Sequence, residues 1–432
     1  MIKKACLLWN NFLLKGSLIV FLGSMAANAG AYVFHLLMGR MLGLENYGLL
    51  ESLLSFFYWL GVPASVLAIM VVKYVSQNKG CSKEVSEIVS LFFKKTSAVG
   101  LVVLFLFCVS YPFLKTLFKI NSFSLILGLG IAFYLSLLST VLSSSLQGIM
   151  EFFRLSTASV LGSFFRLIFS VAAVWIGWKI GGVIWALAFS NLVLFWVVWK
   201  MLQGKISLNF SQKSEIDLVK GIKKFGLAAF FSSLSLTSFF TVDIILARYF
   251  LTPLEAGKYA ALSIFGKIIF FASNSVVAVM FPMISERYAQ GKNYRKILIL
   301  SFLLVAGIST AIMGIYFFFP NLMVQLLYGQ EYLSIIPNLL PFAVFASLYS
   351  LGYLWVNFYL SISETKIVFL TLSIAFLQII FIFFHHQSIT EIIVVNIFSM
   401  ILLLAGLLSY YFKIKKEKML IAKLNILDQP SL

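Results

Sequence analysis

Apolar runs of about twenty residues recur along the whole chain, near 17–39, 48–70, 97–118, 123–146, 155–177, 180–199, 225–250, 259–281, 297–319, 335–358, 366–384 and 390–412. Each can cross roughly 30 Å of hydrocarbon as an α-helix. Inside hydrocarbon every backbone N–H and C=O needs an internal partner, so such runs form helices and little else. The short alternating segments of a β-barrel are not the pattern here. Hydrophobic residues make up 61% of the 432 and charged residues 11%, far from the balance of a soluble domain. The chain reads as an all-α polytopic membrane protein with about 12 transmembrane helices.

Basic residues orient it. Of the 33 Lys and Arg, 25 fall in the two ends and in every second connecting segment, and only 6 fall in the opposite loops. The positive-inside rule then places both termini in the cytoplasm. The net charge of +18 sits where that rule and anionic headgroups put it, and calls for no nucleic-acid partner. Cys6, Cys81 and Cys108 form neither a disulfide framework nor a metal spacing.

The longest polar stretch, 200–224, stands mid-chain and joins six runs to six. The organisation expected is an N-terminal lobe (1–200), a linker (201–224), a C-terminal lobe (225–412) and a basic cytoplasmic tail (413–432). Ile216, Val219, Ile222 and Phe225 give the linker an amphipathic face for the inner leaflet. A weak parallel repeat relates the halves: "HLLMGRMLGLENYG" (35–48) lies over "DIILARYFLTPLEAG" (243–257). His35 and Arg40 align with Asp243 and Arg248, and Gly48 with Gly257 after one inserted residue. The repeat gives the first run a counterpart in the seventh. The signal-like start (Lys3, Lys4, then Ala27-Asn28-Ala29) is therefore read as a mature helix.

Polar residues inside a bilayer either pack helices or line a wet path. In the fifth run Ser156, Ser159, Ser163, Arg166 and Ser170 share one helical face, with Arg166 near the midplane. Ser17, Ser24, Asn28 and His35 mark the first run, Ser263, Lys267 and Asn274 the eighth. Serines alone fit close packing. With Arg166, Lys267, Asn274 and Asp243 added, the pattern points to a central polar cavity, mostly cationic, with Arg40 and Arg248 near its outer rim. Such a cavity suits phosphate or pyrophosphate. Asp243 has two readings: a site for H⁺ or Na⁺, or a structural ion pair with Lys267, whose depth on the next helix matches.

Several stretches then resemble a known family. "KKFGLAAFFSSLSLTSFFTVDIILARYFL", the Glu255-x-Gly257-x-Tyr259-x-Ala261 run, "VVAVMFPMISERYAQGK", "RMLGLENYGLLESL" and "LLYGQEYLSIIPNLLPF" resemble the Wzx-type polysaccharide flippases of the multidrug/oligosaccharidyl-lipid/polysaccharide exporter superfamily. The resemblance implies two helical lobes around a central cavity. It implies flipping of an undecaprenyl-pyrophosphate-linked oligosaccharide across the bacterial inner membrane for surface polysaccharide such as O-antigen, without a cofactor. It also implies that basic cavity residues hold the pyrophosphate, and it admits polysaccharide-assembly membrane proteins as partners. The substrate-binding candidates are Arg166, Lys267, Asn274, Asn28, His35, Ser159, Ser163, Arg40 and Arg248, and Asp243 is the candidate for ion coupling. Relatives often carry a basic residue directly after the Asp of span seven, where this chain has Ile244.

Two rival classes exist. A membrane polymerase or ligase needs acidic or His/Arg residues on a sizeable outer loop. The longest one here, near 320–335, carries one acid and no base. His385 and His386 are adjacent, diverge on a helix and share no metal. No phosphate-cradling glycine loop or nucleophile elbow is present, so the chain is not read as an enzyme. An ion-coupled drug antiporter of the same superfamily remains the alternative, although a cationic drug favours an acidic interior.

Overall fold

The computed structural model describes residues 2–78, 81–206 and 225–427, and in these the apolar runs are helices throughout. The first half contains α1 (Ile2–Leu60), α2 (Val62–Gln77), α3 (Ser82–Val109), the short α4 (Tyr111–Phe118), α5 (Phe123–Gly148), α6 (Phe152–Trp175) and α7 (Lys179–Leu202). The second half contains α8 (Phe225–Phe239), α9 (Val242–Phe250), α10 (Pro253–Ala289), α11 (Arg295–Phe318), the short α12 (Pro320–Leu327), α13 (Ile336–Ser361), α14 (Ile367–Phe384) and α15 (Ile389–Leu427).

The element α1 is a hairpin. Gly43 has φ 71° and ψ 172°, a conformation that glycine adopts without side-chain strain. Eight residues to either side of it, His35 Nδ1 and Glu51 Oε2 are 3.1 Å apart. In a straight helix that separation would be about 24 Å. Among the described residues, nine helices are long and apolar enough to cross a membrane, or up to eleven if each of two bent pairs is one span. The first pair covers residues 22–77, and the reversal at Gly43 divides it. That division accounts for the twelve segments read from hydropathy, with one glycine in place of the expected loop.

Span seven departs from the continuous helix expected over 225–250. It breaks into α8 and α9, bent by 41°. The cause is local: the Thr237 carbonyl accepts from both the Phe240 N–H and the Thr241 hydroxyl, and such hydroxyl back-bonding bends helices. The break gives α9 a free N-terminus within the membrane, and Asp243 stands in its first turn. A carboxylate is favoured there by the helix dipole, and its Oδ1 accepts the Ile244 N–H at 2.9 Å.

Two other segments are more helical than expected. The outer loop near 320–335 is itself helical, as α12 and a 3-10 turn over Gln330–Ile335. The element α15 runs unbroken to Leu427, where a separate tail was expected after 412. The amphipathic linker expected over 201–224 falls, from 207 on, outside the described residues.

The helices form two lobes. Small residues set the packing within the first, since Gly23 and Gly30 on α1 face Ser156 and Ser163 on α6. Those serines donate to the Ile19 and Ala27 carbonyls at 2.9 Å each. Without a water-driven force between helices, close backbone approach and such bonds supply the association.

At the end that the basic-residue asymmetry assigns to the outer face, the lobes are tied. Arg40 donates to the carbonyls of Gln325, Leu326 and Leu327 at the C-terminus of α12. Tyr332 donates to the Gly39 carbonyl at 2.7 Å, and the Tyr47 and Tyr328 hydroxyls are 3.0 Å apart. Arg248 Nε donates to the Phe118 carbonyl at 3.0 Å, and Lys119 to the Leu251 carbonyl at 2.7 Å.

Candidate functional site

A cavity of about 570 Å³ lies between the lobes below that outer tie. Helix α1 contributes Asn28 and His35, α6 Arg166, α10 Lys267 and Asn274, and α13 Asn357. Five of the sequence candidates thus share one space, although they come from positions as far apart as 28 and 274. An aromatic wall from the second lobe, including Phe240, Phe270 and Tyr349, faces them.

The two cations differ in state. Lys267 is bonded to Glu51, which is fully buried on the returning limb of α1 and also meets His35. The pairing with Asp243 that matching depth suggested is not made. Glu51 occupies that role, because the Gly43 hairpin carries it to the depth of His35, beside α10. Arg166 makes no ion pair among the described residues. Its guanidinium lies 4.6 Å from the Phe34 ring centre, Nη1 is 3.5 Å from the Tyr58 hydroxyl, and the buried Nε has no partner. The ring face stabilises the cation without neutralising it. Arg166 is therefore the cavity's uncompensated positive charge.

Arg40 and Arg248 do not line the cavity. Their guanidiniums point to backbone carbonyls at the outer ends of neighbouring helices, so they are fasteners of the closed end. Ser159 and Ser163 line a second pocket of about 280 Å³ within the first lobe, which Arg166, Asn28 and Tyr58 share with the main cavity. Of the other serines on that face, Ser156 bonds α1 and Ser170 is fully buried.

Asp243 is also outside the cavity lining, at 1% exposure. Its Oδ2 accepts from the Tyr259 hydroxyl at 2.6 Å and from Asn396 Nδ2 at 3.2 Å. Asn396 in turn accepts from Gln378 at 2.7 Å. This is a carboxylate held entirely by neutral donors from α9, α10 and α15. The halves share a geometry: the outer turn brings His35 beside Glu51 in one and Asp243 beside Tyr259 in the other, each pair sixteen residues apart. Glu51, Tyr259, Asn396 and Gln378 were missed as partners. Equal distance from an outer turn is the signal that would have joined the first two to His35 and Asp243. Nothing local to the sequence joins Asn396 to them.

Among the described residues no group of three His, Cys, Asp or Glu is placed to hold a metal ion. His386 stacks on Phe250 with ring centres 3.8 Å apart.

The fold is that of the MOP-superfamily transporters. An inward-facing multidrug resistance MATE family transporter matches with a TM-score of 0.75 at 16% identity, over 90% of this chain and 95% of that one. The lipid II flippase MurJ, in an inward closed conformation, matches at 0.70 and 16% identity, over 91% and 87%. A MOP transporter from Pyrococcus furiosus, described as having a binding pocket of reverse polarity, matches at 0.63 and 17% identity, over 94% and 96%. The family model for polysaccharide biosynthesis proteins matches residues 37–337, and the chain belongs to that family. No curated protein sequence matches it.

Proposed function

We propose that the protein flips a lipid-linked oligosaccharide, joined to its polyprenyl chain through a diphosphate, from the inner to the outer leaflet of a bacterial plasma membrane. The observation that carries this is Arg166: an uncompensated cation beside amides in a cavity between two lobes, in a chain of a polysaccharide biosynthesis family. A diphosphate brought to Arg166 gains a bidentate, charge-assisted contact in a low-dielectric setting, while the lipid tail stays in the bilayer. Lys267 is not the equal partner that the sequence suggested, since a phosphate has to compete with Glu51 for it. With the outer end tied, the cavity is read as open toward the inner leaflet, and the lobes rock apart at that tie to expose it outside.

The drug-antiporter alternative has the aromatic wall in its favour. Against it, the acids nearest the cavity, Glu51 and Asp243, are buried and already bonded, so a cationic drug meets a positive interior. Asp243, with its neutral donors, is the proposed point of coupling to H⁺ or Na⁺.

The test is transport in vesicles holding the full chain and a labelled polyprenyl-diphosphate oligosaccharide, read as access of an added glycosidase to the label. Arg166→Ala lowers the rate at least tenfold on this reading, and Arg166→Lys restores part of it. Wild-type flipping by Arg166→Ala overturns the assignment.

A further inference from the structure

The smaller pocket, enclosed by α1, α5, α6 and α7, is lined by groups whose hydrogen bonds are half complete. Ser136 donates to the Phe133 carbonyl at 2.7 Å, Ser159 to Leu155 at 3.0 Å, Ser163 to Ala27 at 2.9 Å and Ser190 to Leu187 at 2.9 Å. Asn191 Nδ2 donates to the Ala132 carbonyl at 3.3 Å. Each serine has used its hydrogen on backbone, and Asn191 one of its two amide hydrogens. What remains for a ligand is the serine lone pairs and the Asn191 amide oxygen as acceptors, and the second Asn191 N–H, the Asn28 amide and the Tyr58 hydroxyl as donors. A bilayer chain entering here would leave both kinds of group without partners, and an anion would satisfy none of the acceptors. The occupant they favour brings donors and acceptors together, as a sugar ring does with its hydroxyl groups.

The doorway is cationic. Arg166 lines both this pocket and the main cavity, and its buried Nε lacks an acceptor. An anion at the door and a ring of hydroxyls inside is the polarity of a glycosyl phosphate. Size agrees: about 280 Å³ is just under the range of drug-sized sites and suits one ring, while about 570 Å³ next door is left for further sugars. Phe57 and Tyr58 offer ring faces to the apolar side of a pyranose.

We infer that this pocket is the seat of the first monosaccharide of the substrate, the one bonded to the diphosphate, and sets which sugar the protein accepts. This rests on the reading of Arg166 as the diphosphate anchor.

The experiment measures binding to the purified full chain in detergent micelles. The probes are a short polyprenyl diphosphate without sugar, the same lipid carrying one glucose, galactose, N-acetylglucosamine or N-acetylgalactosamine, and the matching soluble nucleotide sugars. At least one glycosylated lipid binds about tenfold or more tightly than the bare diphosphate, consistent with a few added hydrogen bonds. In Asn191→Leu and in Ser159→Leu, the latter at an exposed pocket position, that ratio falls to about one. Thermal unfolding reports whether each variant is folded, and Ser159→Leu decides the matter if Asn191→Leu is not. No glycosylated lipid exceeding the bare diphosphate, or a ratio unchanged in a folded Ser159→Leu, overturns the inference and leaves the Arg166 reading standing. Failure of the bare diphosphate to bind removes that reading instead. A nucleotide sugar that binds as well as the glycosylated lipid overturns the assignment to the lipid-linked source.

Discussion

Gly48 and Gly257, which the weak internal repeat sets in register, touch each other across the interface between the lobes. A Cβ on Gly48 would lie 2.6 Å from the Gly257 nitrogen, and one on Gly257 would lie 2.1 Å from the Leu44 carbonyl oxygen. Both obstacles are backbone, which cannot swing aside as a side chain does. The contact at the closed outer end therefore depends on the absence of side chains at these two positions.

Gly257→Ala follows directly. The overpacking cost of about 1–3 kcal/mol falls on the closed arrangement alone, which shifts the balance away from it by roughly 5- to 150-fold. Spin labels on the exposed positions Phe113 and Leu326, at the outer ends of opposite lobes, report this as a longer mean distance. An unchanged distance distribution would count against the contact as part of the outer closure.

The Lys267–Glu51 bond links the same lobes deeper in the membrane. Lys267→Met leaves Glu51 buried with His35 alone and costs about 3–5 kcal/mol. Adding Glu51→Gln removes the stranded charge and recovers most of that loss. Thermal unfolding of both single variants and the double variant measures the coupling. Additive effects would show that the pair is not the tie described.

Asp243→Asn separates coupling from architecture. The single amide oxygen can still accept from Tyr259 and Asn396 but gives up the Ile244 N–H, a loss of about 1 kcal/mol, whereas Tyr259→Phe leaves buried Asp243 short of a donor and costs about 1–3 kcal/mol. If Asp243 is the coupling site, Asp243→Asn abolishes the response of flipping to an imposed proton or sodium gradient. A response equal to that of the wild type assigns Asp243 to architecture.

Arg40→Ala tests the move of that residue from cavity to fastener. Arg40 is exposed and meets α12 only at backbone carbonyls, so its loss loosens the outer end by less than about 1 kcal/mol. Binding of polyprenyl diphosphate stays within twofold of the wild type. A tenfold weaker affinity would return Arg40 to the substrate site.

The helical bundle was legible because hydrocarbon imposes a rule that each run obeys alone: an apolar stretch of sufficient length satisfies its own backbone. The cavity was legible for a related reason. A cation such as Arg166 on a polar helical stripe has no cheap place except the interior, so spacing was enough to bring Asn28, His35, Arg166, Lys267 and Asn274 toward one another. The broken span at Thr241 was written in the Ser/Thr run before it, yet a hydropathy average cannot register one hydroxyl bond.

Partner choice lay beyond that kind of reading. Depth alone made Asp243 and Lys267 plausible partners. The Gly43 hairpin instead delivered Glu51 to Lys267, and helix α15 delivered Asn396 to Asp243. Length, apolarity and the distribution of basic residues act along the chain one segment at a time, so a linear reading recovers them. Which carboxylate meets which lysine, and which arginine faces the cavity instead of a neighbouring carbonyl, depends on helix rotation and on which backbones can touch. Those are set only when all the helices pack together.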